Sequence, residues 1–193
     1  MSAFLAPIHF NVFEKIKNQK QIVENLINDF GDDSLREKLY KTYGEVPEGD
    51  LEDIIDLKNI HGWLQDEFIK TEKSLSFVVN ELLENNINID DLKRWFKNQG
   101  ENFKGLNSPN EIFITFSTFY MDGMPCDRAI TPIDFNEEEG SWQLNNDLHK
   151  SYWKDEGFIY NQLRNSWLEG LANSNGYDFK FENNIYEVKK CTV

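Results

Sequence analysis

Cysteines are scarce in this sequence, and long apolar runs are absent. Cys126 and Cys191 are the only two cysteines in 193 residues, which is too few for the disulfide framework of a small secreted domain. No apolar run approaches the ~18–20 residues needed to span a bilayer. The first ten residues lack the basic and apolar regions of a secretory signal. We therefore expect a reduced, cytoplasmic chain.

Positive charge is also in short supply. Lysine and arginine total 20 against 34 aspartates and glutamates, which gives a formal net charge of −14 at pH 7. Nucleic acids and anionic membrane surfaces both require a field that attracts phosphate, and the average field here repels it. The composition predicts no nucleic-acid partner and no membrane partner. A small-molecule ligand or another protein remains as the expected partner, and the oligomeric state is not predicted.

Core-forming residues are abundant. Hydrophobic residues make up 39% of the chain and aromatic residues 14%, which is too much for a disordered segment. A chain of this length can bury about 70% of its unfolded surface without a disulfide or metal. The sequence predicts a single domain over residues 1–193, with a helical part at 1–105 and a mixed part of helix, loop and β-hairpin at 106–193.

Apolar residues recur at helical spacing over most of the chain, so the fold class is predicted as mainly α: a bundle of five to six helices with a small C-terminal antiparallel hairpin or sheet. The predicted helices cover 7–30, 33–43, 50–85, 90–100, 108–119 and 158–172. In the third, apolar steps alternate between three and four residues, which is typical of a helix buried along one stripe. The apolar run 112–116 in the fifth also suits a strand.

The C-terminal segment alternates apolar and polar residues on both sides of Asn183-Asn184. Asparagine tolerates the positive φ of a type I′ turn, so this pattern predicts a β-hairpin. A lone hairpin is marginally stable, and Trp142–Leu144 is the candidate third strand. Residues 128–140 are expected to be irregular.

The chain has three histidines, and two of them, His9 and His61, occupy core positions of long predicted helices. A buried imidazole needs a partner, which is a carbonyl, a carboxylate, a water or a metal. If the third helix runs downward toward the start of the first, His61 arrives level with His9. If it runs upward, the two lie apart.

The third histidine, His149, lies in an aromatic-rich stretch, and Cys126 lies in a tight turn after Pro125. Three imidazoles and a thiolate form a plausible four-ligand set for a divalent transition metal: zinc, iron or nickel. The leading hypothesis is a metal-binding protein with His9, His61, His149 and Cys126 as ligands. This hypothesis includes a metal-dependent enzyme, in which an open coordination position of the metal would bind a small polar molecule. The chain contains no CxxC, HExxH or Glu-x-x-His spacing, and the last absence argues against a carboxylate-bridged di-iron centre.

Two other interpretations stay open. A Cys126 thiolate beside His149 is a catalytic nucleophile for acyl transfer, which would make the protein a metal-free Cys–His hydrolase. Alternatively, the histidines are structurally satisfied core residues of a non-catalytic, acidic interaction or regulatory module, which would expose an apolar patch to its partner.

Overall fold

Seven α-helices and four β-strands form the described part of the chain, residues 4–154 and 157–192 of a computed structural model. The helices are α1 (Pro7–Phe30), α2 (Asp33–Tyr43), α3 (Leu51–Ile54), α4 (Ile60–Glu84), α5 (Ile89–Gly100), α6 (Pro109–Phe119) and α7 (Phe158–Ser174). The strands are β1 (Ile130–Phe135), β2 (Glu139–Leu144), β3 (Tyr177–Glu182) and β4 (Ile185–Lys190). None of the helices in these residues combines the length and apolar character required to cross a membrane. The predicted fold class, mainly α with a small C-terminal antiparallel sheet, is confirmed.

The chain folds into two compact units. The first consists of the chain through Ile87 together with Thr118–Met124, and the second consists of Asn88–Ser117 with the chain from Pro125 onward. The chain therefore leaves the first unit after α4, returns to it briefly after α6, and completes the second unit with the sheet and α7.

In the first unit, α1 and α4 pack side by side and run in the same direction. His9 contacts His61 near the start of both helices, and the Gln19 side chain donates to the buried Glu72 carboxylate at 2.7 Å about ten residues further along both. Apolar side chains at helical spacing fill the interface, because the apolar face of each helix is stabilised by burial away from water. The most deeply buried include Ile16, Leu26, Leu64, Val78 and Val79.

Helix α2 packs against α4 in the opposite direction. Lys38 pairs with Glu81 at 2.7 Å, and Tyr43 lies edge-on to Phe77 with ring centroids 5.7 Å apart. Gly44 ends α2 with a φ of +76°, a conformation that favours glycine. The predicted bounds of both α1 and α2 are confirmed.

We expect the Tyr40 hydroxyl to make the first unit sensitive to alkali. It donates a hydrogen bond to Glu24, and partial burial, followed by the Glu24 carboxylate, raises the pKa of Tyr40. An unfolded tyrosine ionises near pH 10. The folded chain holds this proton more tightly, so the stabilisation is complete below about pH 10 and is lost as pH rises toward the higher folded pKa.

Tyr40→Phe should therefore be less stable than the wild type by about 1–2 kcal/mol near pH 8, because one hydrogen bond to a charged group is lost. The difference should shrink by about pH 11. Urea unfolding followed by circular dichroism at the two pH values measures it. A difference that stays constant with pH would contradict the assignment.

The second unit is built around the crossing of α5 and α7. Gly100 and Gly170 are both buried at this crossing. A Cβ atom on Gly100 would lie 2.0 Å from the carbonyl oxygen of Trp167, and one on Gly170 would lie 2.0 Å from that of Lys97. The two backbones therefore approach as closely as glycine alone permits.

The four strands form one antiparallel sheet in the order β1-β2-β4-β3. Its buried face carries Trp142 and Tyr186 side by side, because the strands pair in a register that aligns them. Asn183 and Asn184 adopt φ values of +53° and +61° at the β3–β4 turn. The predicted hairpin and the predicted third strand at 142–144 are therefore confirmed.

Two sequence-based expectations were wrong in detail. The predicted helix over 50–85 is interrupted, with α3 ending at Ile54 and α4 beginning at Ile60. The Asp56 side chain accepts the Lys58 N–H at 2.9 Å and forms a turn that competes with the helix. Residues 128–140 contain a strand, β1, rather than irregular structure alone; a bulge between Pro132 and Asp134 obscures its alternation. The ambiguous run 112–116 is helical.

Candidate functional site

The imidazoles of His9 and His61 meet at the N-terminal ends of α1 and α4. Their Nε2 atoms are 3.3 Å apart, and the ring centroids are 5.1 Å apart with an interplanar angle of 75°. His9 is the third residue of α1 and His61 the second residue of α4. The contact exists because the break at residues 55–59 allows α4 to begin at the same end of the unit as α1.

A backbone hydrogen bond determines which nitrogen of His9 carries the proton. The Ala6 N–H donates to His9 Nδ1 at 2.9 Å, so Nδ1 is the acceptor and a neutral His9 carries its proton on Nε2. His9 therefore donates through Nε2, and the Nε2 lone pair of His61 accepts. The His9 side chain also satisfies an N–H at the start of α1, where helices leave backbone donors unpaired.

The pair is buried on one side and open on the other. His9 is 4% exposed, whereas His61 lies at the surface. Burial, followed by the neighbouring charge of His61, lowers the pKa of His9. His9 is therefore neutral at pH 7, the state in which an imidazole binds a metal.

The separation of the two nitrogens also matches a metal site. Tetrahedral zinc with Zn–N bonds of about 2.0–2.1 Å separates two ligand nitrogens by about 3.3–3.4 Å. The observed 3.3 Å lies within this range. Among residues 4–154 and 157–192, no three His, Cys, Asp or Glu side chains form a group that could hold a metal ion. The site consists of two imidazoles.

The other two predicted ligands, His149 and Cys126, belong to the second unit. His149 is 1% exposed and stacks on Tyr160 with ring centroids 3.6 Å apart. Its backbone N–H donates to Asp147 at 3.1 Å. Cys126 lies in a short 3₁₀ turn, Pro125–Asp127, and is exposed.

Two contacts of the histidines were not predicted from the sequence. The bond between Ala6 and His9 had a usable signal, because a polar side chain three residues after the N-cap often accepts the N-cap N–H. The stacking of His149 on Tyr160 had none, since the two residues lie eleven positions apart in the sequence. Tertiary packing alone brings these rings together.

Comparisons of the chain with protein-family models, curated proteins and solved structures found no match. The chemistry of the site is therefore inferred from its own atoms. Those atoms are two imidazole nitrogens, separated by the distance expected between two ligands of a tetrahedral zinc ion. One of the two rings, that of His9, is buried and neutral.

Proposed function

We propose that this protein binds a divalent transition metal (zinc, iron or nickel) through Nε2 of His9 and His61. The observation that carries the proposal is the 3.3 Å separation of the two nitrogens. This distance matches the separation of two ligand nitrogens on tetrahedral zinc. The lowered pKa of His9 keeps that ring neutral. The exposure of His61 leaves a route by which the ion enters from solvent.

Metal binding must move the proton of His9 from Nε2 to Nδ1. In the hydrogen-bonded pair, the proton on His9 Nε2 occupies the space between the two nitrogens. A neutral His9 that binds a metal through Nε2 carries its proton on Nδ1, and Nδ1 then no longer accepts the Ala6 N–H. The ion therefore competes with the N-terminal cap of α1, which weakens the affinity and predicts faster hydrogen exchange of the Ala6 amide on binding.

Two imidazoles leave coordination positions for water or another ligand, as in catalytic rather than structural zinc sites. A bound divalent cation would locally override the repulsion of an acidic protein, so a small polar or anionic molecule is the expected occupant. Such an ion polarises a bound oxygen as a Lewis acid. The role of His149 and Cys126 as further ligands stays a prediction. The location of the protein in the reducing cytoplasm also stays a prediction.

Titration of untagged protein with Co²⁺ and Zn²⁺ tests the proposal. We expect one ion per chain, with Co²⁺ giving the visible absorption of an imidazole-bound centre. Changing an outer-shell partner of a metal ligand costs about 10–100-fold in affinity, so losing a ligand in His61→Ala should cost at least as much. His61 is exposed, so this variant should fold normally.

Cys126→Ser is the matched control, because Cys126 is also an exposed side chain at a predicted ligand position. Unchanged Co²⁺ affinity and absorption in this variant support a site of two imidazoles. A thiolate-to-cobalt charge-transfer band that Cys126→Ser removes would instead support the four-ligand set. Absence of stoichiometric metal in the wild type, or equal affinity in His61→Ala, would overturn the proposal.

A further inference from the structure

A cavity of about 450 Å³ lies at one end of the sheet in the second unit. It is bounded by the segment that follows β2, by the first turn of α7 and by the β3–β4 turn. Cavities that hold small ligands typically measure about 300–1,000 Å³. The space is therefore sufficient for a small molecule, and none of its lining residues belongs to the histidine pair.

Hydrogen bonds to buried groups hold part of the polar wall in place. Asp147 accepts from the Asn161 amide at 2.7 Å and from the His149 N–H at 3.1 Å. The Asn161 carbonyl oxygen accepts from Arg164 at 2.7 Å, and Arg164 is 1% exposed. Asp147 and Asn161 are therefore positioned before any ligand arrives, which lowers the entropic cost of binding.

Other polar groups on the wall are available to a ligand. The side chains of Asn146, Lys150 and Asn184 make no hydrogen bond or ion pair with other described residues. Amides both donate and accept hydrogen bonds, the carboxylate accepts and the ammonium group donates. The wall therefore presents both donors and acceptors rather than a field of one sign.

The remaining lining residues include two aromatic rings. Phe158 is 67% exposed at the start of α7, and Phe181 lies on β3. A ligand that covers the Phe158 ring would remove apolar surface from water, which favours binding. The single carboxylate of Asp147 and the single ammonium of Lys150 balance in charge, which favours a neutral ligand over an ion.

We propose that this cavity binds a saccharide. Each sugar hydroxyl both donates and accepts, which suits a wall of carboxamides with one carboxylate and one ammonium group. The C–H face of a pyranose is apolar and covers an exposed ring such as Phe158. The inference is independent of the metal proposal, since the cavity and the two histidines belong to different units.

Nuclear magnetic resonance of the isotope-labelled full chain tests the proposal with methyl glycosides of glucose, galactose, mannose and N-acetylglucosamine. We expect at least one glycoside to receive saturation transfer from the protein. The same glycoside should shift the side-chain amide signals of Asn145, Asn146, Asn161 and Asn184. Asn146→Ala and Phe158→Ala should each weaken its binding by about tenfold or more.

The controls are Gln143→Ala, a polar residue on β2 outside the cavity, and Ile133→Ala, an exposed apolar residue of the same unit. Both should bind the glycoside as the wild type does, and so should His61→Ala. Failure of every glycoside to shift the wild-type amides would overturn the proposal. So would shifts of these amides by free glycine but by no sugar, because that would identify a site for a zwitterion.

Discussion

Gly170→Ala is expected to destabilise the second unit by about 3 kcal/mol, at the upper end of the range for overpacked cores. The added methyl group would lie 2.0 Å from the carbonyl oxygen of Lys97, and a backbone atom cannot turn aside as a flexible side chain can. The helices α5 and α7 must separate instead. Separation would also loosen the buried aromatic residues on both helices, among them Phe96 and Trp167.

Gly100→Ala should have a similar effect, because its methyl group would meet the carbonyl oxygen of Trp167 at 2.0 Å. Gly62→Ala is the matched control: its neighbour within 3 Å is the side chain of Asn59, which is exposed and can move. Alanine is favoured over glycine in helices by about 1 kcal/mol, so the control should be neutral or stabilising. Thermal unfolding followed by circular dichroism measures the stability of all three variants. Equal unfolding midpoints for the three would refute the close crossing of α5 and α7.

Trp142→Ala is expected to cost about 3–5 kcal/mol, the usual range for removing a large buried aromatic side chain. Trp142 is 0% exposed. It stacks on Tyr186 with centroids 5.5 Å apart and contacts Phe113 at 5.3 Å. Alanine would leave a cavity between the sheet and α6 that these rings cannot fill without leaving their own contacts.

Trp142→Phe separates the effect of ring volume from that of polarity. The indole Nε1 of Trp142 is buried and has no hydrogen-bond partner among the described residues. Removing it relieves a desolvation cost and breaks no bond, so Trp142→Phe should lose much less stability than Trp142→Ala. Urea unfolding gives both values, and a similar loss for the two variants would contradict this account.

Local patterns were enough to predict most of the helices and the hairpin. Pro7 and Gly31 bracket α1, and paired asparagines mark the β3–β4 turn, because these residues restrict the backbone within a few positions. The break at 55–59 was not predicted, since the apolar spacing continues through it. The break is caused by a turn in which the Asp56 side chain accepts a backbone hydrogen bond in competition with the helix. A single aspartate is a weak signal for such a turn in the sequence.

The candidate site was only partly accessible to the same reasoning. Apolar context identified His9 and His61 as histidines that need partners, and the structure shows that they contact each other. We expected the two histidines to meet only if the third helix ran toward the start of the first, and this condition was wrong. Helix α4 runs in the same direction as α1, so the two helices begin at the same end of the unit. The Cys–His hydrolase and the interaction module stay predictions. Within the described residues, no hydrogen bond joins the exposed Cys126 thiol to the buried His149.

The sequence by itself determined the fold class, the bounds of α1 and α2 and the hairpin, because each depends on interactions within a few residues of chain. Tertiary structure alone decided that His9 faces His61 across 52 positions, and that Gly100 and Gly170 permit two helices to touch. Such pairings depend on the direction in which each helix leaves its turn. That direction is set by the packing of the whole unit rather than by the residues that finally meet.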